Sequence, residues 1–213
     1  MQKDLLRKVV SIAVAAICLG ACALSEDKVA IDYIPPEGVT AVAGAATVKL
    51  EVTASDQRQQ YRDRISVKKN GYGMEMARII ATNDVVDVVR GGVERAFKDE
   101  GFTVGPGGLT VTIDLQNYYN NFKAGLASGI AVAEVAFALK VRNAAGALVY
   151  SQFYSATGTV DVFLASGANA KAALEKATTL AIKIVADDTA LQQALLATAA
   201  QKKPAAGVRR PGA

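Results

Sequence analysis

Apolar and polar positions begin to alternate strictly at Thr47. Val48, Leu50, Val52 and Ala54 alternate with Lys49, Glu51 and Thr53. That period of two predicts a half-buried strand, ending at Ser55-Asp56-Gln57-Arg58. After the polar stretch Gln59 to Arg64, Ile65 and Val67 alternate up to Lys68-Lys69. Asn70-Gly71 then signals a hairpin, because a type I′ turn needs positive φ at both central residues. Tyr72, Met74 and Met76 are expected to line the returning strand, and this hairpin is expected to lean out from the main sheet.

The period then changes. Val85, Val89, Val93, Ala96 and Phe97 fall on one face of a helix from Asp84 to about Glu100, with Asn83 as its N-cap. Gly91-Gly92 costs this helix about 1 kcal/mol per glycine relative to Ala, which close packing on a sheet would offset. After the turn Gly105-Pro106-Gly107-Gly108, Leu109, Val111, Ile113 and Leu115 form the clearest strand. It runs into Tyr118-Tyr119-Asn120-Asn121-Phe122, either a binding patch or a strand end with one ring buried and one exposed. Val135 to Val141 alternate again, Asn143-Ala144-Ala145-Gly146 makes a turn, and a partner strand runs from Leu148 to Val162 with a bulge. Asn169 can cap a second helix, and Asp187 or Asp188 a final short one, Thr189 to about Gln201. The order β, hairpin, α, three antiparallel strands, α predicts an α+β fold. Its sheet is mostly antiparallel, with helices packed on one face.

The first residues follow a different logic. Lys3, Arg7 and Lys8 precede an apolar run from Val9 to Leu19, broken only by Ser11. That order is the charged and apolar part of a secretory signal. The run is too short to span a bilayer, which takes roughly 20 apolar residues. Leu19-Gly20-Ala21-Cys22 resembles the lipobox of bacterial lipoproteins. The resemblance implies cleavage between Ala21 and Cys22 and acylation of Cys22, which anchors the chain in a membrane. Ala23, which is not Asp, implies the outer membrane by similarity to the sorting rule of enteric bacteria. Residues 1–21 are thus expected to be a cleaved signal peptide and 22–46 a lipidated N-terminus and flexible tether. Residues 47–201 are expected to form one periplasmic domain, and 202–213 a disordered basic tail. Cys18 leaves with the leader, so no intramolecular disulfide is available to the mature chain.

Composition narrows the function. The net charge of +4 falls to about +2 once the leader is removed, and no dense basic stripe with interleaved aromatics suggests nucleic acid. The chain has no histidine, the commonest general base and metal ligand. It has no nucleophile elbow, P-loop or dinucleotide fingerprint. No cofactor or metal site is expected, and a carboxylate pair is the one enzyme alternative left. The reading is a non-catalytic module that binds an envelope protein or peptidoglycan. Its candidate surface is Asp56 and Arg58 with Lys69, Asn70 and Tyr72. A purely structural Asp56, accepting from Arg58 or nearby backbone N–H groups, competes with that reading. Self-assembly through an exposed edge of the hairpin Val135–Val162 is the alternative.

Three further stretches carry a family resemblance: Asp56-Gln57-Arg58, Gly101-Phe102-Thr103-Val104-Gly105-Pro106 and Phe163-Leu164-Ala165-Ser166. With the Asp188-Thr189 break between two helices, they make residues Thr47 to Gln201 resemble the YajG family of bacterial lipoproteins. The resemblance implies an outer-membrane lipoprotein that faces the periplasm and has no assigned activity. The element order also looks like the α+β module of lipoprotein activators of penicillin-binding proteins and of the TolB amino-terminal domain. That second likeness concerns fold alone.

Overall fold

In the computed structural model, residues 24–70, 72–123, 125 and 128–201 are described. The leader, Cys22 and the basic tail lie outside them. Two sheets share one core. In chain order the elements are β1 (Asp27–Val29), a 3-10 turn (Ala45–Thr47), β2 (Lys49–Asp56), β3 (Ser66–Lys69), β4 (Glu75–Ala81), α1 (Val85–Asp99), β5 (Thr103–Val104), β6 (Leu109–Lys123), β7 (Gly129–Arg142), β8 (Leu148–Val162), α2 (Gly167–Ala186) and α3 (Thr189–Gln201). The larger sheet runs β5-β2-β6-β7-β8 and the smaller β1-β4-β3. The fold is α+β, as the pattern predicts. Pairing partners go beyond the pattern. β6, β7 and β8 form an antiparallel meander, but β2 lies parallel to both β5 and β6, and β1 parallel to β4.

The alternating residues of β6 and β7 bury their apolar set under α1 and α2. Val111, Ile113, Leu115, Val135, Phe137 and Leu139 are inaccessible, as are Val89 and Val93 of α1 and Leu174 and Ile182 of α2. At about 25 cal/mol per Å², burying each such side chain contributes roughly 1.5–3 kcal/mol before the entropy cost of ordering. Gly92 lets the helices approach. A Cβ there would sit 2.3 Å from Cδ1 of Ile182 and 3.1 Å from the Tyr33 ring, whereas Gly91 faces open space. The close packing expected of this pair is therefore helix on helix, and it belongs to one glycine only.

Caps and turns differ from expectation by small, explicable steps. Asp84, not Asn83, caps α1, accepting from Val86 N at 2.8 Å. Asn83 instead binds Ile31, accepting from its N–H at 2.9 Å and donating to its carbonyl at 2.8 Å. Ser166 caps α2, one turn before Asn169. The β3–β4 loop is longer than a two-residue turn. Asn70 Oδ1 accepts from the N–H groups of Tyr72 and Met74, and Gly73 is left-handed at φ 80°. The β7–β8 loop repeats this arrangement with Asn143, Ala145, Ala147 and Gly146 at φ 81°. Both are turns closed by a glycine in the αL region, the three-residue class of hairpin loop.

The hairpin β3–β4 lies in the smaller sheet, outside the main one, and β1 completes that smaller sheet. β1 changes the reading of 22–46. Ile31 is 1% exposed, Asp27 accepts from Gly167 N at 2.7 Å, and Lys171 pairs with Asp32 at 2.8 Å. From Asp27 to Asp32 the chain is therefore part of the folded body. The tether reading treats an Ala/Gly/Val-rich, proline-containing stretch as a spacer, but Ile31 is part of the core and Val29, Tyr33 and Val42 pack against it.

Candidate functional site

Asp56 and Arg58 close on each other. Arg58 donates from Nε to Oδ1 at 3.0 Å and from Nη2 to Oδ2 at 2.8 Å, and its backbone N–H reaches Oδ1 at 3.1 Å. This fork-on-carboxylate geometry holds the Asp56 carboxyl below its usual range, chiefly through the Arg58 side chain. Arg58 is 6% exposed. Its Nη1 also donates to the carbonyl of Tyr61 at 3.3 Å. The corner thus works as a clasp that fixes the loop after β2.

The other expected surface residues lie elsewhere. Asn70 organises the hairpin turn. Lys69 Nζ donates to Asn121 Oδ1 at 2.6 Å, bracing the hairpin against β6. Tyr72 stands free at the tip, 92% exposed. The five residues are therefore not one patch.

What the clasp positions is more informative. Tyr61 has φ 57°, the one non-glycine residue with positive φ among those described. Such strain is uncommon for a bulky residue and persists only where its surroundings over-determine it. Here Arg58 holds its carbonyl, the Arg64 guanidinium lies 4.7 Å from its ring centre, and Tyr119 stacks on it with centroids 4.2 Å apart. Tyr119 is on the outer face of β6 because of a bulge. Leu115 faces Phe137 and Asn117 faces Ala136, so Gln116 is the extra residue. Before it the odd-numbered positions are buried; after it Tyr118, Asn120 and Phe122 are. The phase change turns Tyr119 and Asn121 outward, and Tyr118 inward onto Thr178 at 3.1 Å.

The result is a groove of about 510 Å³ on the sheet face away from the helices, lined by Tyr61 and Tyr119 and by the carboxamides of Gln59, Gln60, Gln116, Asn117 and Asn121. Lys123 and Glu134 give it one charge of each sign. Carboxamides both donate and accept, and tyrosine rings offer flat apolar faces. The arrangement suits a neutral, hydroxyl-rich ligand with an apolar face. Tyr118 is buried and Tyr119 is turned outward and half-buried, which fits the strand-end reading of the pair. Tyr61 and Gln116 escape the sequence reading. The signal that reaches them is the recurrence of amide-plus-tyrosine runs at 57–61 and 116–121.

Three carboxylates lie in defined surroundings away from the groove. Asp114 is held low by Lys140 at 2.8 Å. Asp188 accepts from the phenols of Tyr150 and Tyr154 and from the N–H groups of Ala190 and Leu191, which makes it the cap of α3. Glu100 is buried, its Oε1 accepting from Gln192 at 2.8 Å and its Oε2 without a partner. Burial pushes its carboxyl up to about 7. Among the described residues no group of three or more His, Cys, Asp or Glu is placed to hold a metal, and no helix is long and apolar enough to cross a membrane.

Several solved structures are similar to this chain. A Xanthomonas campestris protein aligns over 83% of this chain and 97% of its own, with a TM-score of 0.52 at 17% identity. A Helicobacter pylori protein, described as a neuraminyllactose-binding hemagglutinin homologue, aligns over 81% and 100% with a TM-score of 0.50 at 6% identity. These two likenesses concern the fold alone. A minor lipoprotein of Acinetobacter baumannii aligns over 72% and 91% with a TM-score of 0.35 at 9% identity. No curated protein matches the chain. The family model for an uncharacterized lipoprotein does match, over residues 35–196, from beyond β1 into α3. The chain belongs to this YajG-like family of uncharacterized lipoproteins and is an envelope lipoprotein.

Proposed function

We propose that this lipoprotein is acylated at Cys22, is held in the outer membrane facing the periplasm, and acts as a non-catalytic module that binds a glycan strand of peptidoglycan. The observation that carries the reading is the groove around Tyr61. Its strained backbone is held by the Asp56–Arg58 clasp, so the Tyr61–Tyr119 wall is pre-organised and little ordering entropy is lost on binding. Vicinal hydroxyls and N-acetyl groups of a sugar chain match the carboxamides, and the C–H face of a pyranose matches the tyrosine rings. A groove of this size lies within the usual range for small ligands, about 300–1,000 Å³. The Helicobacter pylori protein's description also names a saccharide, a property of that protein.

The test is retention of the soluble Cys22→Ser chain on purified peptidoglycan sacculi. Tyr61→Ala is expected to weaken retention at least tenfold with an unchanged circular dichroism spectrum. Equal retention of the two chains would remove the groove from the reading.

A second reading, self-assembly, has its own support. β8 is the open edge of the larger sheet, 15 residues long, with Asp161 as its single charged residue. Edges of this length are usually blunted by lysine or proline.

A further inference from the structure

The smaller sheet carries the chain toward its anchor. β1 lies parallel to β4, with Asp27 opposite Ile79 and Val29 opposite Ala81. Reading backward from Asp27 therefore leads toward the start of β4, where the β3–β4 hairpin has its tip. Side chains keep the strand on that course. Glu26 pairs with Arg78 at 3.2 Å, Asp27 with Lys68 at 2.7 Å, and the Ser25 carbonyl accepts from Lys68 Nζ at 2.9 Å. Cys22 is two residues before Leu24, hence within about 7 Å of it, and five before Asp27, within about 17 Å. A lipid at Cys22 would sit beside this end of the sheet with no leash between.

The same end exposes apolar side chains. Tyr72 is 92%, Met74 58% and Leu24 65% exposed. Scattered apolar residues on a surface need no explanation, but these three share one end of one small sheet. Lys69 and Glu75 flank the tip, so its formal charges balance. A tyrosine and a methionine on a neutral tip suit the headgroup boundary of a bilayer, where amphipathic rings concentrate.

We infer that the tip of the β3–β4 hairpin, Tyr72 with Met74, rests in the headgroup layer of the membrane that anchors Cys22. The inference rests on the acylation of Cys22 proposed above. The acyl chains supply the affinity, since multiple chains already give stable attachment. The hairpin supplies a second contact that fixes the tilt of the fold over the bilayer. Tyr72, expected on a partner-binding surface, is thereby assigned to lipid.

The chain has no tryptophan, so Tyr72→Trp introduces a single indole, excited at wavelengths where the tyrosines do not absorb. The full chain would be extracted from membranes and reconstituted in phosphatidylethanolamine/phosphatidylglycerol vesicles containing brominated lipid. Mass spectrometry reads the acyl group separately. The expected result is at least twofold quenching of the hairpin-tip indole with a blue-shifted emission. Phe153→Trp, on β8 of the other sheet, should stay unquenched. An acylated chain whose hairpin-tip indole is unquenched overturns this inference alone, and equal quenching at both positions overturns it as well. A chain without acyl groups at Cys22 overturns the anchor and the hairpin contact together.

Discussion

Arg58 shows how a polar residue on the surface of the sequence becomes internal in the fold. Asp56 compensates its charge at bonding distance, and Arg62 lies 4.0 Å from the same carboxylate. Arg58→Ala removes the principal partner of that carboxylate and frees the Tyr61 carbonyl. Breaking a buried pair costs up to about 3–5 kcal/mol, and Asp56 is partly exposed, so the expected loss is about 2–4 kcal/mol in urea unfolding. Loss of sacculus retention without loss of stability would instead make the corner a recognition site. Glu100 makes the opposite case, a carboxyl whose folded value is raised to about 7. Its contribution to stability is complete below the ordinary carboxylate range. It is lost as pH rises from there through about 7, because the unfolded chain releases the proton first. Glu100→Gln keeps a partner for Gln192 and removes the charge. It should raise stability by roughly 1–3 kcal/mol at pH 8 and by almost nothing at pH 4. A pH-independent difference in melting would refute this assignment.

At the level of elements, two adjacent glycines in one helix play different parts. Gly91→Ala adds a methyl in open space and is expected to stabilise α1 by up to about 1 kcal/mol. Gly92→Ala drives a Cβ against Ile182 and Tyr33 and should destabilise by about 1–3 kcal/mol, felt as a lowered melting temperature. Equal effects at the two positions would contradict the packing described. The strands obey local rules more fully. The alternation of β2, β6 and β7 is legible in the sequence because one face of each is buried. The bulge at Gln116 is not, because the extra residue is defined only against its partner strand, and the outward turn of Tyr119 is hidden with it. The same Asn-x-x-Gly loop chemistry stands at both 70–73 and 143–146, yet Asn70-Gly71 favours a shorter turn whose register the strands do not adopt.

For the molecule as a whole, the open edge of β8 decides between a lone module and an assembly. The Cys22→Ser chain run by sedimentation velocity should sediment as a monomer across concentrations if the glycan reading stands alone. Dimers that dissociate when Ser155 is changed to Lys would place pairing at that edge, since a lysine on an edge strand resists a second strand.

Local pattern was enough for the class of fold, the helix and strand faces and the absence of histidine chemistry. Each follows from period or from composition, and none needs a contact partner. The rest came from long-range contacts. They paired β2 with β6, seated residues 27–32 as part of the core and set Tyr61 against Tyr119. They also carried the Arg58–Asp56 clasp into a half-buried corner where its strength matters. Most of these outcomes depend on residues some 50 to 140 positions apart meeting in space. No local pattern records which of several satisfiable partners a strand edge, a guanidinium or an aromatic ring will take.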